Sequence, residues 1–594
     1  MIRFIILFLA FPISAFGQDE NHDQKLADML ATQNYAEAEV YYTQYSENIT
    51  SKAIINCYEA LMTAYHGDSY STISKINRIL TENQYDIDFV SQVLYLTLIQ
   101  CYVNINNYAQ AIETCEQYIN FIQTSPIHGN ETQKKLHIEW VEEQKVIIAG
   151  YAKLNYDQNL ADLLVNEQRC FDAEDYYSQY ADSLKEEFIK QFYHVKMDMF
   201  YNRPDSAIIK INNIIDSHKF DTPNHLIPAF LYDPLIQSYY HTGNYSKAAS
   251  VCEKYLRFIE TSAIYNDEPV KNRLIKDISA KKRLFSDLSE IPPIQIKKGT
   301  KDSHIQLDTS YPFFLFKAKF NADSLNVLLD TGCNYHFFLD KTIADKIGVK
   351  IIQKDSINII NNKETKSQYG ILNSFQIGNI QIKDVPVMVV YESWESQMPD
   401  SLKHKTESYI MPFFQSFDLV MGLPIMRLLE YIEFDLNKKQ MNIPANNIPH
   451  VGKRNMYLTS KNIHWDLFVK SQLNDIEFIP FIDTGGGFSI FINETYYQHH
   501  KDKIPIISND ENAPLNLFLY NTGPLRDISN KKPYPINLTI DNLDTELGGD
   551  DDVYILPSGD ILPSGGSDGL IGISVFYKYE KVIFNFRDMA LSVF

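Results

Sequence analysis

The chain has 594 residues, a formal charge of −21, and 45% hydrophobic against 22% charged residues. At ~100–200 residues per domain, that length implies three to five domains, and the composition excludes a disordered or collagen-like chain. The acidic excess sets aside nucleic acid and anionic membranes as partners, because both need clustered Lys and Arg against phosphate.

Arg3, the apolar stretch at residues 4–13 and Ala15-Phe16-Gly17 read as an export signal over residues 1–17, with the mature chain starting at Gln18. A periplasmic or extracellular location is therefore expected. The stretch is too short to span a bilayer, which takes ~20 apolar residues, and no later segment is that long without charges. Its retention as an uncleaved anchor is the other reading. Six cysteines, at 57, 101, 115, 170, 252 and 333, are too sparse for a disulfide scaffold and show no Cys-x-x-Cys pair. Cys101 and Cys115 fall on adjacent predicted helices, where a disulfide is the alternative to the expected role of apolar packing.

Helical periodicity occupies residues 24–290 and contains an internal repeat. The pattern Asp-Gln-x-Leu-Ala-Asp of residues 23–28 returns at 157–162, and Asn107-Tyr108 with Cys115-Glu116 returns as Asn244-Tyr245 with Cys252-Glu253. This gives two copies, residues 18–155 and 156–290. The spacing of Tyr239, Gly243, Tyr245 and Ala249 resembles a tetratricopeptide helical hairpin, in which a small residue lets two helices cross closely. That resemblance implies an all-α array presenting a face to a protein partner; the bland readings are a spacer or a clamp on the rest of the chain.

Around residues 286–301 the run Ser289-Glu290-Ile291-Pro292-Pro293 breaks the helical pattern, and Phe313, Leu315, Lys317 and Phe320 begin the alternation of half-buried strands. Two segments of this half share one plan. A strand at 313–320, a turn at Asn321-Ala322-Asp323 and an apolar strand lead to Asp330-Thr331-Gly332. A strand at 465–472, a turn at Asn474-Asp475 and an apolar strand lead to Asp483-Thr484-Gly485. A lone Asp-Thr-Gly is an ordinary strand-ending turn. Here each has a companion, Leu419-Val420-Met421-Gly422 after the first and Leu570-Ile571-Gly572 after the second, followed by terminal strands near 431–435 and 582–585.

This duplicated pattern resembles the bilobal aspartic proteases, pepsin-like or retropepsin-like, over residues 294–594. The resemblance implies an all-β domain with lobes at 291–447 and 448–594, and an endopeptidase acting on peptide or protein substrates without cofactor or metal. By the same resemblance Asp330 and Asp483 are the catalytic pair. Thr331 and Thr484 bond across the lobes, Gly332 and Gly485 turn their N–H groups to the carboxylates, and Gly422 and Gly572 end the strands behind them. Two close carboxyls cannot both ionise and so share one proton, as in pepsin. One then serves as base to a water and the other as acid to the developing oxyanion. The residue after Asp-Thr-Gly is Cys333 in one lobe and Gly486 in the other, where the family usually places Ser, Thr or Ala. Without those hydroxyls a less acidic optimum than pepsin's is expected.

A covering flap is expected in lobe one, with its tip at Tyr369-Gly370 beside the turn-rich residues 361–370; Asn521-Thr522-Gly523 is the only candidate in lobe two. The alternative function is a protease-fold peptide-binding protein without turnover. Four other signals are discounted. Cys333 has no paired His by motif, Gly565-Gly566-Ser567-Asp568-Gly569 has the G-x-S-x-G form without strand, turn and helix around it, His499-His500 lacks further zinc ligands, and residues 548–552 read as a solvated loop rather than a calcium site.

Overall fold

The computed structural model describes residues 22–594 apart from 66–68, 82–87, 106, 125–130, 155, 218–226, 263–264, 266–267, 354–356, 361–362, 392–414, 447, 462–463, 505, 510–517, 520–522, 525–530, 534–535, 549–552 and 557–566. The signal segment, Asn521, Thr522, the 549–552 loop, Gly565 and Gly566 lie outside the described residues. The chain divides into two compact units, residues 1–159 and 160–594, with the division inside the helix Tyr156–Val165.

In the first unit the helices His22–Ala31, Tyr35–Tyr45, Lys52–Tyr65, Ser69–Thr81, Asp88–Asn104, Tyr108–Thr124 and Glu131–Leu154 each pack on the next. Tyr108–Thr124 shows why: Ala111, Cys115, Tyr118 and Ile122 recur at helical spacing, so one stripe is buried and the remainder stays wet. Cys101 and Cys115 are both buried here and not joined by a disulfide.

The second unit opens with the same series: Tyr156–Val165, Cys170–Tyr180, Glu187–Phe200, Pro204–Ser217, Ile227–His241, Tyr245–Thr261 and Glu268–Leu288. The correspondence extends to the left-handed corner residues Gln33 and Gln168, which turn the first hairpin of each copy. These helices pack against the β part of the same unit. Phe171 and Phe200 meet the Tyr457 ring edge-on, at 5.3 and 5.8 Å, and Arg454 lies 4.1 Å over Tyr201.

The β part consists of two lobes. In lobe one the strands Leu315–Phe320, Asp323–Asp330, Leu419–Gly422, Phe337–Asp340, Ile380–Val390 and Lys363–Ile377 are neighbours in that order, and Lys319↔Gln376 pairs the last with the first, closing a barrel. Lobe two is built around the strands Met456–Lys461, His464–Val469, Pro480–Asp483, Gly569–Gly572, Ile490–Asn493 and Val553–Leu556. The terminal strands Tyr431–Asp435 and Lys581–Asn585 pair antiparallel, Tyr431 opposite Asn585, so one sheet is common to both lobes. The molecule is thus a helical array followed by an all-β, two-lobed region. Among the described residues no helix is long and apolar enough to cross a membrane.

Candidate active site

Each loop begins at a tight polar turn, Asn321 at φ 55° in lobe one and Asn474-Asp475 at 48° and 63° in lobe two. Asn and Asp tolerate the left-handed region better than bulkier residues. The strand Asp323–Asp330 then runs parallel to Leu419–Gly422 with Asp330 opposite Gly422, and Pro480–Asp483 runs parallel to Gly569–Gly572 with Asp483 opposite Gly572. The two glycines have one physical cause. A Cβ on Gly422 would stand 2.1 Å from the Tyr335 carbonyl oxygen and 2.3 Å from that of Cys333, and one on Gly572 would stand 2.2 Å from that of Phe488. The loop after each Asp folds back onto the strand end, and only a hydrogen leaves it room.

The threonines join the loops. Thr331 Oγ1 donates to the Ile482 carbonyl at 2.7 Å and accepts from the Thr484 amide at 2.9 Å. Thr484 Oγ1 donates to the Leu329 carbonyl at 3.1 Å and accepts from the Thr331 amide at 3.0 Å. Both side chains are fully buried. Each hydroxyl has one donor and one acceptor function satisfied from the other lobe, which fixes the two Asp-Thr-Gly corners against each other.

Gly332 N–H donates to Asp330 Oδ1 at 2.7 Å, and Gly485 N–H to Asp483 Oδ1 at 3.0 Å. A Cβ on Gly332 would lie 2.8 Å from Asp483 Oδ1, and one on Gly485 2.5 Å from Asp330 Oδ2. Each glycine therefore carries its backbone past the opposite carboxyl. Asp483 Oδ1 and Asp330 Oδ1 lie 2.8 and 3.1 Å from that same Gly332 Cβ position, so the two carboxyls stand side by side. Burial raises both above the ordinary Asp range; the Gly332 amide pulls Asp330 back, and the charge of Asp330 pushes Asp483 further up. Two carboxyls this close hold one proton between them more readily than none.

Neither position after the glycines supplies a hydroxyl to the pair. Cys333 Sγ points to the Tyr335 carbonyl at 3.8 Å, and burial with the nearby Asp330 charge raises its thiol, keeping it protonated. At Gly486 a side chain would stand 2.2 Å from the Phe488 ring, which fills the space.

The expected flap tip is displaced. Tyr369 and Gly370 lie in mid-strand within Lys363–Ile377, opposite Met388 and Val387, and Tyr369 is buried. The strand Lys363–Ile377 also pairs with Ile357–Ile360, Ile360 opposite Lys363. Gly370 is small because a Cβ there would meet Val349 Cγ1 at 2.5 Å, not because the chain turns. The Tyr369 ring lies 6.1 Å from that of Tyr335.

Two carboxylates escaped the sequence reading. Asp418 Oδ2 accepts from the Asn326 amide at 2.8 Å, and Asp568 Oδ2 from the Ile479 amide at 2.8 Å, each one residue before the Asp-bearing strand pairs with its glycine-ended partner. Their signal was present, since both stand four residues before the supporting glycine. Asp568 belongs to the G-x-S-x-G match, where Ser567 Oγ donates to the Gly569 carbonyl at 2.6 Å and a strand, not a helix, follows. The array also reaches lobe one: Arg427 donates to Asn202 Oδ1 at 3.0 Å and to the His241 carbonyl at 2.5 Å. His499 and His500 end the short helix Glu494–His500, and no group of three His, Cys, Asp or Glu suited to a metal occurs among the described residues.

Two β lobes, each offering an Asp-Thr-Gly corner over a glycine-ended strand, thus follow a helical array. The family model described as "Aspartyl protease" matches residues 316–402, a stretch that includes Asp330, and supports an aspartyl protease domain in this chain. A search of the curated proteins finds no match.

Proposed function

We propose that the protein is an exported aspartic endopeptidase, with Asp330 and Asp483 as the pair that activates water against a peptide bond. The observation that carries the reading is the reciprocal Thr331–Thr484 bonding, which sets a carboxyl from each lobe side by side. Asp483, held further up, is the natural acid, and Asp330, relieved by the Gly332 amide, the natural base. Asp330 takes a proton from the attacking water while Asp483 donates to the carbonyl oxygen as it gains charge. The second helical copy acts as a clamp on the two lobes, consistent with its contacts to Tyr457 and Arg427. The first copy is left to recruit a partner or substrate. The mature chain starts at Gln18, in the periplasm or outside the cell.

A peptide-library cleavage assay with a pepstatin-type inhibitor as control tests the reading. Asp330→Asn and Asp483→Asn should each lower activity at least ~10²-fold while leaving the fold intact, the low end of what positioned acid–base catalysis supplies. Unchanged cleavage in both variants would sink the mechanism. A wild-type protein that binds peptides and cleaves none from acid to neutral pH would establish the peptide-binding alternative.

A further inference from the structure

The strand that delivers Asp483 begins with a proline, and Pro480 has no amide hydrogen with which to fasten its end of the strand. Ile479 does this instead. Its N–H donates to Asp568 Oδ2 at 2.8 Å, and its carbonyl accepts from the Asp568 amide at 3.1 Å. This two-point grip stands one residue before the register Pro480↔Gly569 to Asp483↔Gly572, and so sets where the Asp483 carboxyl arrives.

The other oxygen of Asp568 is held from outside the lobe. Arg169, at the start of the array helix Cys170–Tyr180, donates through Nη1 to Asp568 Oδ1 at 3.1 Å and is itself braced by Asp172 through Nε. Burial pushes Asp568 up to about 6, and Arg169 together with the Ile479 amide opposes that rise. Asp172 acts the other way, and Tyr457, Tyr496 and Glu167 complete the ionisable surroundings of the ion pair. Lobe one has the same grip, with Asp418 holding the Asn326 amide at 2.8 Å and donating to its carbonyl at 2.9 Å. Its strand carries no proline, and Asp418 has no ion pair among the described residues.

We propose that Arg169 of the helical array is a positioning residue for Asp483, acting through Asp568 and Ile479. The array then completes one half of the site instead of merely flanking it. This rests on reading the dyad as catalytic, and the test separates the two claims by including a readout that needs no turnover.

The variants are Arg169→Gln, Arg169→Lys, Asp568→Asn and the double Arg169→Gln/Asp568→Asn in the full chain. In peptide cleavage, Arg169→Gln should lower kcat at least ~10-fold with KM little changed, since small displacements of a catalytic group cost rate rather than binding. Arg169→Lys should recover most of that loss, and Arg169→Gln should add nothing to Asp568→Asn. By hydrogen-exchange mass spectrometry, Arg169→Gln should speed exchange in residues 476–486 and leave the lobe-one equivalent, residues 323–333, unchanged. Wild-type kcat in Arg169→Gln, or faster exchange spread equally over both lobes, would overturn the proposal. If Arg169→Gln does not fold, Asp568→Asn carries the test, and wild-type exchange at residues 476–486 in that variant overturns it. If the wild type cleaves nothing, the exchange result alone decides the positioning claim and the dyad reading fails separately.

Discussion

Replacing Thr331 by Val changes shape very little and removes one hydroxyl. That hydroxyl serves two backbone groups of the other lobe, the Ile482 carbonyl and the Thr484 amide, and both threonines are shut off from water. Both groups would be left unsatisfied, and at ~1–3 kcal/mol for each buried orphan the loss is about 2–6 kcal/mol. Urea denaturation of the purified chain should show the transition of the second unit moving to lower denaturant by that amount, with kcat falling because the two carboxyls lose their common frame. Thr484→Val should behave alike, since it orphans the Leu329 carbonyl and the Thr331 amide. The double variant should cost less than the sum, because one broken corner already lets its partner relax. A shift under ~1 kcal/mol for Thr331→Val, roughly the worth of a single ordinary hydrogen bond, would show that water or a rearranged loop satisfies the orphans and that the crossed threonines do not hold the lobes.

The dyad should leave a mark on stability as a function of pH. Both carboxyls are raised in the folded state, so the native protein holds protons that the unfolded chain has released; this contribution is full below about pH 4 and is lost as pH rises through the folded values. Asp483→Asn should therefore unfold at higher urea than wild type at pH 7 and show no such gain at pH 3. Cys333, with its thiol raised, should resist iodoacetamide in the native protein at pH 8 and react only on unfolding, with Cys333→Ala keeping activity; rapid native labelling would contradict the burial argument. A fragment of residues 18–159 should melt cooperatively by circular dichroism, whereas residues 160–290 alone should expose Phe171, Phe200 and Tyr201 and aggregate.

The duplicated Asp-Thr-Gly was readable because two lobes built on one plan place the same residues at the same backbone position twice. Gly422 and Gly572 were readable because a carbonyl 2.1–2.2 Å from any Cβ admits no other residue. The helices were legible because each must bury one apolar stripe at helical spacing. Tyr369 and Gly370 misled because the preceding run, Lys363-Glu364-Thr365-Lys366-Ser367-Gln368, is polar enough to suggest a turn, although the backbone continues it as a long strand. Gly370 is explained by a neighbour crossing from residues 349–350, a contact between segments that no local pattern announces. Asp418 and Asp568 each look like the common Asp before a strand, and only their equal distance from the two glycines distinguishes them. Arg169 and Arg427 act on residues far along the chain, and periodicity carries no information about such pairs.

The sheet shared by Tyr431–Asp435 and Lys581–Asn585 has a consequence for how the molecule is made. Synthesis proceeds from the N-terminus, and domains fold as they emerge. The helices and the loop bearing Asp330 exist long before Gly572 stands behind Asp483 or Lys581–Asn585 reaches its place beside Tyr431–Asp435. A ribosome that stalls before those residues releases a chain in which Asp483 is either missing or not yet backed by Gly572. Under the proposed function, this order of assembly is a safeguard: cutting power arrives only once the second lobe is made, and fragments that stop short of it cannot attack the machinery that makes and exports them.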